Sequence, residues 1–285
     1  MMWSSLKEYH RPGSIHGALR LLGRDQPHTV PLAGGTWLVA RRDSSIQAVV
    51  DLSGLDLAFV EKSARRLRLG AMTTLQTLVE HPLIREVVGG LLAEASRRSA
   101  LLSMRNVATL GGTLVVGETT SEVLLSLLAL DARLVIRSPF KHEVMLEAFL
   151  SNRTAHLLPH ALITEVYLPT PPPGGGATLA AISRTPRDRA IVNAAAVVVR
   201  RGNVCHSARL ALGGVAPHPV RLPHIEAMFL YQPCEAELLS RAAQAVSEAI
   251  DPPDDSLASA AYRRAMAAVV AERAIRGAWE QAAKE

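Results

Sequence analysis

Residues 168–176, "LPTPPPGGG", constrain this chain more than any other stretch. Three consecutive prolines remove three backbone N–H donors, and three glycines follow, so neither a helix nor a central strand is expected to run through. The run reads as a linker, 171–176, between an N-terminal part of about 170 residues and a C-terminal part of about 110, each of ordinary domain size. At 285 residues the chain is long enough for two such cores.

Composition narrows the function classes. The chain is 48% apolar and 4% aromatic, and its formal net charge is +5, from 31 basic and 26 acidic residues. Lysine occurs only at Lys7, Lys62, Lys141 and Lys284, so the basic residues are nearly all arginines, and these are dispersed. A nucleic-acid surface wants a basic stripe with stacking rings, so no nucleic-acid partner is expected. The two cysteines, Cys205 and Cys234, match no zinc spacing and fall short of the four thiolates an iron–sulfur cluster needs. The opening "MMWSSLKEYHRPGS" has no apolar signal core, and no apolar run approaches the length of a membrane span. A soluble, cytoplasmic protein is the expectation.

Periodicity predicts alternating elements in the first part. "SIHGALRLLGR" has helical spacing at Ile15, Leu19 and Leu22, with Ser14 as N-cap. "TVPLAGGT" reads as a short strand entering a glycine turn. "IQAVVDLS", "RLRLGAMTT", "ARLVIRS" and "LITEVYLP" read as strands, and "LQTLVEHPLI" and "VVGGLLAEASRRSA" as helices, a pattern of α/β type. After the linker, "ATLAAISR", "IVNAAAVVVRRGN" and "CHSARLALGGV" read as strands of a small sheet, with "RRGN" as a hairpin turn. Two Ala-rich helices, roughly 235–250 and 256–282, complete an α+β second domain.

Two segments resemble each other: "PLAGGT", ending at Thr36, and "ATLGGT", ending at Thr113. A Gly-Gly turn lets successive backbone N–H groups point into one concavity that suits a phosphate, and the Thr can add a hydroxyl donor. A tight turn with no ligand is the plainer reading of either segment alone. No G-x-G-x-x-G occurs at either. "TTSE", Thr119 to Glu122, fits a capping box with Thr119 as N-cap and Glu122 at the third helical position; a carboxylate that bonds a ligand hydroxyl is the other reading of Glu122. His156 and His160 have helical spacing, but Pro159 lies between them, so a surface role is expected rather than a metal. No nucleophile motif is present, and no catalytic side chain is assigned.

The double-glycine segments, at this separation and with "RNVATLGG", resemble the FAD-binding medium subunits of the molybdenum hydroxylases, the xanthine dehydrogenase and carbon monoxide dehydrogenase family. "YHRPGSIHGALRLL", "LAGGTWLV", "LRLGAMTTLQTLVEHPLI", "SMRNVATLGGTL", "LLALDARLVI", "LITEVYLP" and "AIVNAAAVVV…ARLALGGVAPHPVR" extend the likeness over nearly the whole chain. The resemblance implies a two-lobed FAD-binding domain of the PCMH (vanillyl-alcohol-oxidase-like) type over 1–170, with lobes of about 1–55 and 56–170. A small C-terminal domain, 177–285, follows with an antiparallel sheet and helices.

The resemblance also implies that Leu32, Ala33, Gly34, Gly35, Thr36 and Trp37 wrap the FAD diphosphate from one side, and Thr109, Leu110, Gly111, Gly112 and Thr113 from the other. Glu122 stands where the family usually has an Asp on the flavin's polyol chain. Ile163 stands where a backbone contact to the flavin is expected, and Arg189 where many members have a Tyr beside the ring. Thr113 takes the place of a common Asn, Trp37 that of a small or polar residue, and Ala180 that of a Lys found in some members. The partners implied are an iron–sulfur small subunit and a large subunit with the molybdenum cofactor, in a dimer of heterotrimers. A flavin-free structural subunit of such a complex and an unrelated nucleotide-binding protein are the alternative readings.

Overall fold

The computed structural model describes residues 5–63, 66–138, 140–157, 160–170, 174–185 and 188–282. The elements run β1 (Glu8–His10), α1 (Ile15–Leu22), β2 (Thr29–Leu32), α2 (Thr36–Arg41), β3 (Ala48–Asp51), β4 (Val60–Lys62), β5 (Arg66–Gly70), α3 (Leu75–Glu80), α4 (Pro82–Glu86), α5 (Leu91–Ser99), α6 (Leu102–Arg105), α7 (Leu110–Val116) and α8 (Glu122–Ala129). They continue β6 (Arg133–Ser138), β7 (Phe140–Met145), α9 (Leu146–Ser151), α10 (Arg153–Leu157), β8 (Leu162–Pro169), β9 (Gly175–Ile182), β10 (Val192–Arg201), β11 (Val204–Gly213), β12 (Val220–Arg221), α11 (Pro223–Met228), α12 (Ala236–Ala249) and α13 (Ala260–Ala282). Among the described residues, no helix is long and apolar enough to cross a membrane.

The chain forms two compact units, and neither is contiguous in sequence. The first comprises Met1–Leu78, Ala100–Val116 and Arg133–Leu168; the second comprises Val79–Ser99, Gly117–Ala132 and Pro169–Glu285. Two segments ahead of the Pro/Gly run therefore belong with the C-terminal part.

The first unit holds a parallel sheet, β1-β3-β2, and a five-stranded sheet, β4-β5-β8-β6-β7. In the parallel sheet Ala48, Val49 and Val50 lie on the central strand and are buried. Helix α1 follows the predicted spacing, and Ser14 caps it as expected: its Oγ accepts from the Gly17 N–H at 3.1 Å. Ala18 and Leu22 pack with Val50, Leu52, Leu55, Leu57 and Leu162. In the larger sheet β6 pairs antiparallel with both β7 and β8. The pairing skips a residue between Val135–Glu165 and Ile136–Ile163, which leaves a bulge at Thr164.

The second unit is built on an antiparallel sheet, β12-β11-β10-β9. β10 and β11 form the hairpin expected at "RRGN", and Gly202 takes φ +58 in its turn. β10 is buried over Val192–Val199, as a strand covered on both faces must be. Helices α12 and α13 fall close to the two predicted Ala-rich helices. Helix α8, buried at every residue from Val123 to Ala129, packs in this unit with α5, β10 and β11. An all-round apolar helix requires such enclosure.

The glycines of the Pro/Gly run correct an expectation. Residues 171–173 lie outside the described residues, but Gly175 and Gly176 open strand β9 rather than a linker. β9 is an edge strand, where the demand on the backbone is least. The lack of a side chain at Gly176 also has a packing reason: a Cβ there would lie 2.2 Å from the Ala278 carbonyl oxygen and 2.3 Å from the Ala282 nitrogen of α13. Gly277 of α13 returns the same close approach, since a Cβ there would meet Thr178 Oγ1 at 2.8 Å. Gly176→Ala is therefore expected to destabilise the protein by about 3 kcal/mol, because backbone rather than a flexible side chain must move. Urea unfolding midpoints, with Gly13→Ala in open space as control, check this.

A buried guanidinium fixes the approach to α13. Arg263 is 4% exposed; its Nη1 donates to the carbonyls of Ile191 (2.5 Å) and Gly214 (3.1 Å), and its Nη2 to Asp255 at 2.7 Å. The Arg263 hydrogen bond, aided by the N–H groups of Leu257 and Ala258, draws the Asp255 carboxyl down from 3.8 to about 2. A depressed folded value means that this stabilisation is complete above pH 3.8 and is lost as the pH falls toward about 2. Asp255→Asn is expected to flatten the loss of thermal stability between those pH values, measured as melting temperature against pH.

Candidate functional site

The first double-glycine segment is a strand-to-helix corner. β2 ends at Leu32, the chain turns through Ala33 and Gly34, and Gly35 takes φ +71 before α2 begins at Thr36. Gly35 supplies the left-handed conformation that a side chain would disfavour, but as an N-cap it has no side chain to receive a helix N–H. The Val39 N–H reaches the Gly35 carbonyl at 2.9 Å. The N–H groups of Thr36, Trp37 and Leu38 precede the first intrahelical bond and find no acceptor among the described residues. Trp37 stays half exposed beneath the Arg41 guanidinium, 4.6 Å from its ring centroid.

Gly34 brings the second segment to the first. A Cβ at residue 34 would lie 1.7 Å from the Val107 carbonyl oxygen and 3.2 Å from Ala108 Cα. The two backbones therefore touch just ahead of Thr109. The structure thus brings together, in the first unit, the two segments that the sequence pattern paired.

The second segment differs from expectation. Gly111 and Gly112 do not form a turn of their own; they lie in the first turn of α7, and neither is left-handed. The Leu110 N–H donates to the Thr73 carbonyl at 2.9 Å and the Gly111 N–H to the Ala71 carbonyl at 2.7 Å. Thr109 caps the helix, with its Oγ1 accepting from the Gly112 N–H at 3.1 Å. The Thr113 hydroxyl donates to the Thr109 carbonyl at 3.0 Å. These backbone donors are already used, so what this corner offers an anion is the Thr109 hydroxyl hydrogen rather than a fan of N–H groups. Gly111 eases the close approach, since a Cβ there would meet Ala71 Cβ and the Ala71 oxygen at 3.0 Å, tighter than an ordinary contact.

Ala71 links this corner to the bulge in β8. Its N–H donates to the Thr164 carbonyl at 2.9 Å, while its own carbonyl receives Gly111. Ile163, buried beside the bulge, is thereby fixed relative to α7. Ala71, Thr73 and Val107 carry no sequence signal of their own; they act through backbone atoms, and only the neighbouring glycines mark them.

Glu122 and Arg189 belong to the second unit. The predicted capping box is not formed: Ser121 rather than Thr119 is the N-cap, its Oγ accepting from the Leu124 N–H at 3.4 Å, and Glu122 is the first helical residue of α8. Glu122 is largely buried, and burial raises its carboxyl above the ordinary value, an effect that Arg98 partly offsets. The Arg98 guanidinium lies 2.7 Å from Oε1. Arg189 is mostly exposed and pairs with Glu118 at 2.5 Å. Pro186 and Arg187 of "RTPRDRAIV" lie outside the described residues. Ala180, on β9, packs against the core of the second unit.

Comparison with known proteins assigns these features to a family. The profile described as "FAD binding domain in molybdopterin dehydrogenase" matches residues 4–171, and that described as "CO dehydrogenase flavoprotein C-terminal domain" matches 177–278. The carbon monoxide dehydrogenase medium chain of Hydrogenophaga pseudoflava is 28% identical over 97% of this chain and 98% of its own, and a solved structure of that carbon monoxide dehydrogenase superposes with a TM-score of 0.90 over 97% and 98% of the two chains. Subunit alpha of the 6-hydroxypseudooxynicotine dehydrogenase complex of Paenarthrobacter nicotinovorans is 30% identical over 96% of this chain and 95% of its own. Reconstituted carbon monoxide dehydrogenase from Oligotropha carboxidovorans, 26% identical, gives a TM-score of 0.91 over 99% of this chain and 100% of that one. With both halves matched and the full length covered, the chain belongs to the family of FAD-binding medium subunits of molybdenum hydroxylase-type dehydrogenases.

Proposed function

We propose that this chain is the electron-transfer flavoprotein of a cytoplasmic, multi-subunit molybdenum hydroxylase. A large partner subunit oxidises substrate at its molybdenum cofactor, and a small partner subunit carries electrons through iron–sulfur clusters to the FAD held here. An external acceptor then takes them, with two heterotrimers forming the assembly. When bound, FAD supplies the redox chemistry. The chain's residues bind and orient it, and none needs to act as acid or base.

The observation that carries this reading is the Gly34 corner. The uncapped N–H groups at the start of α2, the Thr36 hydroxyl and the Thr109 hydroxyl are donors with no acceptor among the described residues, and the two segments touch. Donors without acceptors beside a helix start suit the oxygens of a diphosphate, so the residues present fit the cofactor. On this reading Leu32 to Trp37 hold the diphosphate with the free donors of α2, and Thr109 to Thr113 wall it from the other side with the Thr109 hydroxyl as their donor, within an FAD-binding domain of residues 1–170. The flavin contacts assigned to Glu122, Ile163 and Arg189 rest on the family resemblance.

The purified complex is expected to show the flavin bands near roughly 370 and 450 nm. Gly34→Ala forces the Val107 carbonyl away from a position 1.7 Å from the new Cβ and spreads the two segments. Flavin released per chain on denaturation should then fall at least about tenfold, the equivalent of ~1.4 kcal/mol, while Gly13→Ala keeps its flavin. A complex that assembles normally, is colourless and is unchanged by Gly34→Ala would make this a flavin-free structural subunit.

The chain has only two cysteines, both with thiols pushed up to about 11 by burial, and so cannot hold a cluster of its own. The isolated chain is therefore expected to reduce no dye in the presence of substrate. Substrate-dependent dye reduction without partners would contradict the proposed division of labour.

A further inference from the structure

Asn193 is among the most deeply buried polar residues of the chain, 1% exposed near the start of β10. Its Nδ2 donates to the Thr120 carbonyl at 2.8 Å. The reverse amide orientation would set two oxygens face to face, so the donor assignment follows from the partner. Among the described residues Asn193 Oδ1 has no hydrogen-bond partner; it lies over Gly213, the residue opposite Asn193 on β11. A Cβ on Gly213 would come within 2.3 Å of Oδ1 and 2.5 Å of the Thr119 carbonyl oxygen. Gly213 thus opens a slot in the sheet, and in it the Asn193 amide meets the backbone of Thr119 and Thr120. A buried amide that bonds the main chain, rather than another side chain, fixes the course of that main chain.

The turn it grips leads directly into Glu122. The Ser121 N–H donates to the Glu118 carbonyl at 3.1 Å, Ser121 caps α8, and Glu122 is the first residue of that helix. Two ion pairs flank the turn, Glu118 with Arg189 and Glu122 with Arg98. Both employ side chains that can swing, whereas the Asn193 bond fixes the main chain itself. We propose that Asn193 is a positioning residue for flavin binding: by holding the Thr120 carbonyl, it sets the start of α8 so that the Glu122 carboxylate accepts from a hydroxyl of the flavin's polyol chain. This inference rests on the proposed flavin contact of Glu122.

Asn193→Asp keeps the shape, replaces the donor with an oxygen facing the Thr120 carbonyl, and releases the turn. Gly213→Ala pushes on the same turn from the sheet, through a different residue. The test titrates FAD into the flavin-depleted complex for wild type, Asn193→Asp, Gly213→Ala, Glu122→Ala and the Asn193→Asp/Glu122→Ala double variant. Each single variant is expected to bind FAD roughly tenfold more weakly. The double variant should match Glu122→Ala within about twofold, because Asn193 acts through Glu122. A purely structural role for Asn193 would instead add its loss to that of Glu122→Ala, and additive losses would overturn the inference. Wild-type affinity in Asn193→Asp, with Glu122→Ala weakened, would also overturn it and leave the flavin contact standing. Wild-type affinity in Glu122→Ala would remove the contact itself, and the inference with it. Should Asn193→Asp fail to assemble, Asn193→Ser replaces it in every arm; its hydroxyl is too short to reach Thr120, and it adds no charge.

Discussion

The Val107 carbonyl occupies the space that any side chain at residue 34 would need. The geometry of the corner follows from that contact. With no Cβ at Gly34, the backbone after β2 can lie against the backbone before α7, and two segments far apart in sequence become one surface. Gly35 then takes the left-handed conformation that launches α2 with its first N–H groups unclaimed among the described residues. One glycine supplies nearness and the next supplies direction, which is why a single glycine at this corner would not do.

The two corners differ in their hydrogen bonds. At α2, donors are left over; at α7, they are consumed by Thr73, Ala71 and Thr109. The α7 corner is thereby made rigid, and Ala71 extends that rigidity to the bulge beside Ile163. A rigid, satisfied wall against a strand-to-helix corner with spare donors is a sound arrangement for a large anionic cofactor, because the ordering cost is met in folding rather than in binding.

The second unit solves a different problem, that of placing polar groups in an Ala- and Val-rich sheet. Asn193, Arg263 and Glu226 are each buried and each bonded to a backbone group: the Thr120 carbonyl, the Ile191 and Gly214 carbonyls, and the Leu210 N–H. Asp131 receives both Arg209 and Arg221, and Arg221 also pairs with Glu226, so the end of α8 is tied down as its beginning is. Low dielectric strengthens such bonds when they are complete, and it makes each of these residues hard to replace.

The sequence by itself determined the elements whose signals are local. Ser14 as a cap, the hairpin at "RRGN", the Ala-rich helices and the paired double-glycine segments are all written in neighbouring residues, and the family likeness rests on the same short motifs. Tertiary structure alone decided which N–H groups of "ATLGGT" remain free, because their acceptors on Ala71 and Thr73 are backbone atoms that no residue type announces. It placed the cap at Ser121, two residues beyond Thr119, in a turn whose Thr120 carbonyl receives the Asn193 amide. It drew Gly175 and Gly176 into β9, where α13 leaves no room for a side chain. It also gave Glu122 a cationic neighbour, Arg98, that no helical spacing connects to it. In each case the partner came from a distant chain segment, and such meetings depend on the whole fold rather than on the pattern along the chain.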